Sequence, residues 1–272
     1  MLPEGFEARM RALLGSEYED FLASFDRPLC TGLRRNPLKT GFTGDLSRFS
    51  LSPVPWCPTG FYYDAVSRPG LSPYHATGLY YLQEPSAMAP AELLDPQPGE
   101  RVLDLCAGSG CIGLAVASQV LRSRVLLGEW DDEALKVCRQ NIRRNQLSAR
   151  VTSLRIDARE KPSRQLGEFD CIVSNPPYIP TADIETLDPS VRDHEPHLAL
   201  DGGADGLDFY RVIADKWRDA LLPNGLMAFE VGIGQADEVL RIMRANGFGD
   251  IQIVKDLHGI PRVVYGRLCK EI

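Results

Sequence analysis

A pair of prolines directly after a short apolar run most constrains what this chain can fold into. The run Phe169–Val173 has the pattern of a buried strand, and Pro176 and Pro177 must end it, because proline lacks a backbone N–H group and fixes φ. Asn175 and Tyr178 then lie at the carboxyl end of the strand, where open α/β sheets bind ligands. The side-chain oxygen of Asn175 and the carbonyl of Pro176 can both accept hydrogen bonds from one substrate NH2 group, while Tyr178 covers its flat face. Residues 175 to 178 are therefore the candidate catalytic residues, and a rigid turn at a strand end is the alternative.

A second feature is a glycine-rich turn between a strand and a helix. The strand Arg101–Cys106 leads into the turn, and Cys111–Ala117 has the pattern of an apolar helix. This geometry lets a ligand approach backbone amides at a helix N-terminus, although a tight structural turn is the alternative interpretation. The candidate cofactor-binding residues in this stretch are Cys106, Ala107, Gly108, Ser109 and Gly110.

Acidic residues lie near the ends of three successive predicted strands. Glu129 ends the strand that follows the turn, about 20 residues on, which is the placement that binds ribose hydroxyls. Asp104 precedes the turn by two residues and is expected to face the positively charged methionine end of a cofactor. Asp157, which is followed by Ala158, ends the third strand and can accept a hydrogen bond from an adenine amine. The candidate cofactor-binding residues in these strands and directly after them are Asp104, Glu129, Asp157 and Ala158.

The glycine spacing leaves a dinucleotide cofactor as an alternative. Gly113 stands at the third position of a G-x-G-x-x-G turn, so a dehydrogenase remains compatible with the spacing. Acids at three strand ends instead suit a cationic, phosphate-free cofactor, S-adenosyl-L-methionine. Because Asn175 follows on the next strand, we interpret the chain as a methyltransferase and count Asn175 among the cofactor-binding residues as well.

Strand and helix patterns alternate from the turn onward, which predicts an α/β fold. We expect a Rossmann-like methyltransferase domain with a seven-stranded, mostly parallel sheet, an antiparallel last strand and a small N-terminal accessory unit. The accessory unit is predicted to span residues 1–78 and the methyltransferase domain residues 79–272. The later elements are predicted as helix Leu207–Leu222, strand Leu226–Val231, helix Gln235–Ala245, and an antiparallel hairpin of Ile251–Lys255 and Arg262–Leu268.

The first hundred residues have a different texture. One or two short amphipathic helices are predicted over Phe6–Phe25, and residues 26–78 are rich in Pro, Gly and Ser. The basic pair Arg34 and Arg35 is interpreted as part of a solvated turn. Ser86 is predicted to cap a helix over Ala89–Leu94. The sequence LYYLQEPSAM, residues 79–88, resembles the N-terminal part of ribosomal RNA methyltransferases that modify a ring carbon of cytosine, and this resemblance extends over residues 1–105.

The composition of the chain limits the classes of binding partner and the cellular compartment that we expect. The net charge of −7 argues against a partner bound mainly through phosphate contacts. No apolar run approaches the roughly 20 residues of a membrane span, and no signal peptide is visible at the start. The seven cysteines form no C-x-x-C pair, so reduced thiols and a cytoplasmic location are expected, and no metal is expected.

From about residue 108 to the end, the chain resembles the release factor glutamine methyltransferases. The match rests on the sequences NPPYIP (175–180), VRDHEP (191–196), LALDGGADGL (198–207) and DLHGIPR (256–262). The resemblance implies methyl transfer to a glutamine side-chain amide of a peptide chain release factor, with Asn175 and the Pro176 carbonyl binding that amide. It also implies that the glycine turn and Glu129 bind the cofactor. His194 is a candidate base, but a neutral histidine in a polar loop is the favoured interpretation.

Two other functions remain open. A nucleic-acid methyltransferase acting on the exocyclic amine of a base would use the same Asn-Pro-Pro-Tyr sequence, and RNA can reach it through the N-terminal unit. Modification of rRNA cytosine requires a cysteine thiolate, yet Pro177 stands where that family has Cys, and no Cys occurs between Cys171 and Cys269. The second alternative is a fusion protein that binds the cofactor but has impaired methyltransferase activity.

Overall fold

A computed structural model shows two sheets, one small and one large. It describes residues 7, 10, 11, 14, 15, 18–24, 31–36, 39, 46–82, 85, 88–120, 122–187, 192, 195–256 and 259–269. Within these residues, none of the helices is long and apolar enough to cross a lipid bilayer.

The N-terminal unit is built on a four-stranded antiparallel sheet in the order β2-β3-β1-β4. Its core is a small apolar cluster that includes Leu33, Phe49 and Tyr80. Strand β4 lies beyond residue 78 and pairs with β1, while the placement of the domain boundary after residue 78 stays a prediction. The elements of the unit are α1 Tyr18–Ser24, β1 Gly32–Arg35, β2 Ser52–Val54, β3 Cys57–Tyr62, α2 Pro73–Ala76 and β4 Tyr80–Leu82.

The large sheet confirms the predicted architecture. Its seven strands run in the order β10-β11-β9-β8-β5-β6-β7. Strand β11 is antiparallel to both of its neighbours, and the other adjacent strands of this sheet are parallel. The strands are β5 Arg101–Leu105, β6 Arg124–Glu129, β7 Val151–Arg155, β8 Phe169–Ser174, β9 Leu221–Glu230, β10 Phe248–Lys255 and β11 Pro261–Leu268.

Helices cover both faces of this sheet, because its central strands are apolar on both sides. Helices α4 and α5 pack their apolar residues, among them Val116 and Ile142, into one core cluster. Helices α7 and α8 pack into the other cluster, which contains Trp217 and Phe229. The helices of this domain are α3 Ala89–Leu94, α4 Cys111–Gln119, α5 Asp132–Arg144, α6 His197–Leu200, α7 Asp208–Lys216 and α8 Ala236–Ala245.

Three sequence-based interpretations need correction or fall outside the described residues. The predicted helix Leu207–Leu222 was too long: α7 ends at Lys216, a short 3-10 turn follows, and β9 begins at Leu221, which pairs with Phe169 across an irregularity in the ladder. The solvated turn predicted for Arg34 is wrong, because Arg34 lies in β1 and is buried. Ser86, Phe6 and Phe25 lie outside the described residues, and α3 begins at Ala89 as expected.

Candidate active site

The glycine-rich turn and the Asn-Pro-Pro-Tyr sequence leave the large sheet side by side. Strands β5 and β8 are parallel neighbours whose last residues, Leu105 and Ser174, lie opposite each other. The Ser174 hydroxyl also donates a hydrogen bond to the Leu105 carbonyl, with Oγ 2.8 Å from the oxygen. Asn175 therefore emerges next to the start of the glycine turn. The two strongest features of the sequence meet at one point on the carboxyl edge.

The glycine turn adopts a conformation that favours residues without a side chain. Gly108 and Gly110 have φ angles of 53° and 83°, in the left-handed region. A Cβ atom added at Gly110 would lie 2.8 Å from Leu127 Cδ1, so the turn packs tightly on its inner side. A Cβ atom at Gly108 would meet nothing within 4 Å. The outer side of the turn thus faces open space beside the carboxyl ends of the strands.

Glu129 reaches this turn directly. One of its carboxylate oxygens accepts a hydrogen bond from the Gly108 amide at 2.8 Å, and the other accepts from the amides of Trp130 and Asp131 at 2.8 and 2.9 Å. Three backbone amides therefore fix the carboxylate at the end of β6. This position agrees with the one that the sequence pattern assigned to it, although its role with a cofactor stays a prediction.

The other two acids lie in different surroundings. Asp104 is fully buried, and its carboxylate accepts a hydrogen bond from the Gly113 amide in α4 at 2.9 Å. Burial raises the pKa of Asp104 to about 7. Asp157 lies just after β7 and binds the Arg159 guanidinium, with Asp157 Oδ2 2.9 Å from Arg159 Nη2. Hydrogen bonding to Arg159 lowers the pKa of Asp157.

Ala158, the remaining predicted cofactor residue, is buried, and its carbonyl accepts a hydrogen bond from Trp217 Nε1 at 2.8 Å. The bond connects the loop after β7 to the end of α7. The Trp217 side chain therefore fixes the backbone at Ala158.

The Asn-Pro-Pro-Tyr sequence presents one exposed polar group on a buried support. Asn175 is exposed, and within the described residues its side-chain amide makes no hydrogen bond. Pro176 and Pro177 are buried, and Tyr178 is half-buried against the apolar cluster that contains Trp217. Burial raises the pKa of the Tyr178 hydroxyl, so this group remains protonated at neutral pH. The free amide is thus available to a planar polar group.

Comparison with known proteins identifies the family. The profile of the N-terminal domain of 16S rRNA methyltransferase RsmF matches residues 2–85, and that of the methyltransferase small domain matches residues 87–202. The release factor glutamine methyltransferase of Geobacter sulfurreducens is 38% identical over 271 residues, which cover 95% of this chain and 87% of that protein. The chain belongs to the release factor glutamine methyltransferase family.

Other relatives in this family match over a shorter length. The release factor glutamine methyltransferases of Clostridium acetobutylicum and Caulobacter vibrioides are 41% and 45% identical over 61% of this chain. These alignments cover 58% and 56% of the two relatives. Residues 2–85 thus match the profile of an rRNA methyltransferase domain in a chain that belongs to the release factor glutamine methyltransferase family, as the sequence predicted.

Solved structures support the fold over the whole chain. The structure titled NSun6 from Pyrococcus horikoshii with SFG has a TM-score of 0.74 at 13% identity and covers 98% of both chains. A structure titled methyltransferase homolog protein from Pyrococcus horikoshii has a TM-score of 0.69 at 19% identity, covering 98% of this chain and 95% of that one. At these identities the likeness establishes the fold alone.

Membership of the family makes this chain a methyltransferase that depends on S-adenosyl-L-methionine, and the residues at the edge fit that cofactor. The open space beside Gly108 gives room for a ligand against the turn, and Glu129 lies beside it as a hydrogen-bond acceptor. The turn with Glu129 would hold the cofactor, whose chemistry is to supply the methyl group.

Two contacts that support the backbone of Tyr178, from Gln235 and from the loop that contains Gly202, were not predicted from the sequence. Gln235 Nε2 donates hydrogen bonds to the carbonyls of Tyr178 at 2.9 Å and Gly206 at 3.2 Å, and Gln235 Oε1 accepts from the Gly232 amide at 3.0 Å. A Cβ atom at Gly202 would lie 2.8 Å from Tyr178 Cα, so the loop that contains Gly202 packs directly on the backbone of the Asn-Pro-Pro-Tyr sequence. The glycines in LALDGGADGL were the available signal for such close packing.

The cysteines near the site are poor nucleophiles. Burial raises the pKa of the Cys106 thiol and of the Cys171 thiol to about 12, so both remain protonated at neutral pH. His194 lies outside the described residues. The described residues at this edge therefore supply hydrogen-bonding groups and no activated nucleophile.

Proposed function

We propose that this enzyme transfers a methyl group from S-adenosyl-L-methionine to the side-chain amide nitrogen of a glutamine in a peptide chain release factor. The observation that carries the proposal is the free Asn175 amide, which lies at the exposed end of β8 beside the glycine turn of β5. The names of the relatives from Geobacter, Clostridium and Caulobacter support the same substrate.

The chemistry required is orientation of a weak nucleophile. An amide nitrogen reacts poorly because its lone pair is delocalised into the carbonyl group. The oxygen of Asn175 and the carbonyl of Pro176 accept the two N–H groups and direct the nitrogen lone pair towards the methyl group. As the N–C bond forms, the bond between sulfur and the methyl carbon breaks, and one amide proton leaves to solvent. The products are N-methylglutamine and S-adenosylhomocysteine.

The supports of this geometry are the buried neighbours of Asn175. Pro176 and Pro177 restrict φ on both sides of the acceptor carbonyl, and Gln235 fixes the carbonyl of Tyr178. The half-buried Tyr178 ring is available to cover the flat face of the substrate amide. The Asn175 amide therefore stands on a backbone with little freedom, which lowers the entropy lost when the substrate amide is bound.

A second candidate substrate is the exocyclic amine of an RNA base. It is favoured by one observation, the match of residues 2–85 to the N-terminal domain of an rRNA methyltransferase. The same pair of acceptors would bind a base NH2 group, since the site recognises a planar amine. Modification of a cytosine ring carbon is disfavoured, because the protonated Cys106 and Cys171 thiols cannot add to the ring.

The deciding experiment measures label transfer from methyl-labelled S-adenosyl-L-methionine to purified release factor and, in parallel, to ribosomal RNA. We expect label on the release factor and none when its acceptor glutamine is replaced. Asn175→Ala removes one of the two acceptors and is expected to lower the transfer rate about 10²- to 10³-fold. Calorimetry with S-adenosylhomocysteine on the same variant controls for loss of the cofactor site.

Each other outcome assigns the substrate differently. Label on RNA alone, lost in Asn175→Ala, would transfer the assignment to the base amine. Cofactor binding without label on either substrate would show that the fused N-terminal unit has left the enzyme inactive on both. Wild-type transfer by Asn175→Ala would overturn the proposed role of Asn175.

A further inference from the structure

Helix α5 contacts the glycine turn with two side chains that the proposed reaction does not use. The Cys138 thiol donates a hydrogen bond to the Gly108 carbonyl, with Sγ 3.0 Å from the oxygen. One helical turn further on, Asn141 Nδ2 donates to the Ser109 carbonyl at 3.0 Å. Because residues three apart lie on one face of a helix, the two donors meet two consecutive carbonyls of the turn.

The turn needs such support because its own backbone is permissive. Gly108 and Gly110 lie at positive φ, where glycine has many alternative conformations. The amide of Gly108 is bound to Glu129 and its carbonyl to Cys138, so the residue is held from β6 on one side and from α5 on the other. If the carbonyl were released, the 108–109 peptide group could rotate about the ψ bond of Gly108, and the residue would lose its contact with α5.

We propose that Cys138 and Asn141 are positioning residues for the cofactor. By binding the carbonyls of Gly108 and Ser109, they hold the glycine turn in the conformation in which the Gly108 amide orients the Glu129 carboxylate. The turn is then formed before the cofactor arrives, and less backbone entropy is lost on binding. This role concerns the cofactor and is independent of whether a protein or an RNA receives the methyl group.

Both donors retain their protons at neutral pH. Burial, with a contribution from the charge of Asp104, raises the pKa of the Cys138 thiol to about 12. The Asn141 amide does not titrate. We therefore expect the support of the turn to be independent of pH across the range in which the enzyme is assayed.

The test measures the affinity of purified full-length protein for S-adenosylhomocysteine by titration calorimetry. Cys138→Ala and Asn141→Ala each remove one donor and are expected to weaken binding roughly tenfold, as for the loss of one hydrogen bond. Cys138→Ser restores a donor and is expected to bind more tightly than Cys138→Ala. The KM for S-adenosyl-L-methionine should rise in parallel, with little change in kcat on whichever substrate is methylated.

Cys171→Ala is the matched control. Cys171 is also buried in the large domain, but it lies within β8 and its thiol has no hydrogen bond to the turn. Its removal tests what loss of a buried thiol does to packing alone, and the cofactor affinity should remain at the wild-type value. Thermal unfolding and the calorimetric stoichiometry of each variant report the folded fraction.

Three results would overturn the proposal. The first is wild-type affinity in both Cys138→Ala and Asn141→Ala while the proteins remain folded. The second is an equal loss of affinity in Cys171→Ala, and the third is no recovery in Cys138→Ser, because either would reduce the effect to general packing.

Discussion

The small N-terminal sheet and the large catalytic sheet are stabilised in different ways. The large sheet has apolar clusters on both faces, with large side chains such as Trp217, Tyr210 and Phe229 fully buried. Among the described residues of the N-terminal unit, the two apolar clusters at the small sheet contain fewer buried residues. Because hydrophobic stabilisation follows buried apolar area, the small sheet depends more on specific contacts with the rest of the chain.

A buried polar cluster provides those contacts. Arg34 of β1 binds Glu92 of α3, with Nη2 2.6 Å from Oε1, and Arg34 Nε donates to Thr59 Oγ1 at 3.1 Å. Cys57 of β3 and Gln119 of α4 also donate to Glu92 Oε1. Within the described residues, Arg34 Nη1 has no hydrogen-bond partner, which makes the cluster costly to bury. The stability of this contact between the two units therefore depends more on the geometry of its hydrogen bonds than on the apolar area that it buries.

The largest effect is expected when this cluster loses its cation. Arg34→Ala leaves the partly buried Glu92 carboxylate without its counterion and should lower the free energy of unfolding by roughly 3–5 kcal/mol. Urea unfolding followed by far-UV circular dichroism measures this change. The neighbouring Arg35→Ala is the matched control, because Arg35 is exposed on the same strand and its removal should change stability by no more than about 0.5 kcal/mol.

Replacement of both partners sharpens the comparison. Arg34→Met combined with Glu92→Leu removes the buried charges together and should recover most of the stability lost in Arg34→Ala. If Arg34→Ala proved as mild as Arg35→Ala, the polar cluster would have no special role, and the small sheet would resemble the large one in how it is stabilised.

The next effect concerns Asp104 of β5, whose pKa is raised to about 7. Asp104 binds protons more tightly when folded, so its contribution to stability is fully present below about pH 4 and is lost as the pH rises through about 7. The resulting decrease in unfolding free energy between pH 4 and pH 8 is up to about 4 kcal/mol. Asp104→Asn keeps the acceptor for Gly113 and should lose this dependence. Parallel slopes for the two proteins in urea unfolding across this range would contradict the expectation.

A smaller effect is expected at the carboxyl edge. Gln235→Ala leaves the carbonyls of Tyr178 and Gly206 without their donor and should cost about 1–3 kcal/mol of stability. Methyl transfer should fall as well, since the backbone next to Asn175 loses a support, while cofactor affinity stays the same. Gln252→Ala, at an exposed position of β10, serves as the control. A drop in cofactor affinity equal to the drop in rate would assign Gln235 to the cofactor instead.

The smallest expected change is a gain. Cys106 has a φ of 57°, a left-handed conformation that costs a residue with a Cβ atom about 1 kcal/mol. Cys106→Gly relieves this strain and should raise the free energy of unfolding by up to about 1 kcal/mol, measured in urea. A clear loss of stability would show that packing of the Cys106 side chain outweighs the backbone strain.

The catalytic half was predictable because its signals are local. The apolar runs of β5, β6 and β8 are buried on both faces, and a glycine turn or a proline pair marks where two of them end. The hairpin of β10 and β11 follows from its short connection. The buried position of Arg34 was not predictable, because its partner Glu92 is 58 residues away in the chain. The same holds for Gln235, which contacts a carbonyl 57 residues earlier.

The position of β11 has a consequence for the order in which the molecule assembles during translation. Strand β11 lies between β10 and β9, although it follows both in the chain. Until residues 261–268 leave the ribosome, β10 has no neighbour in the sheet and β9 exposes an unpaired edge. The nascent chain therefore carries an open edge that another chain can pair with, until synthesis of β11 closes it.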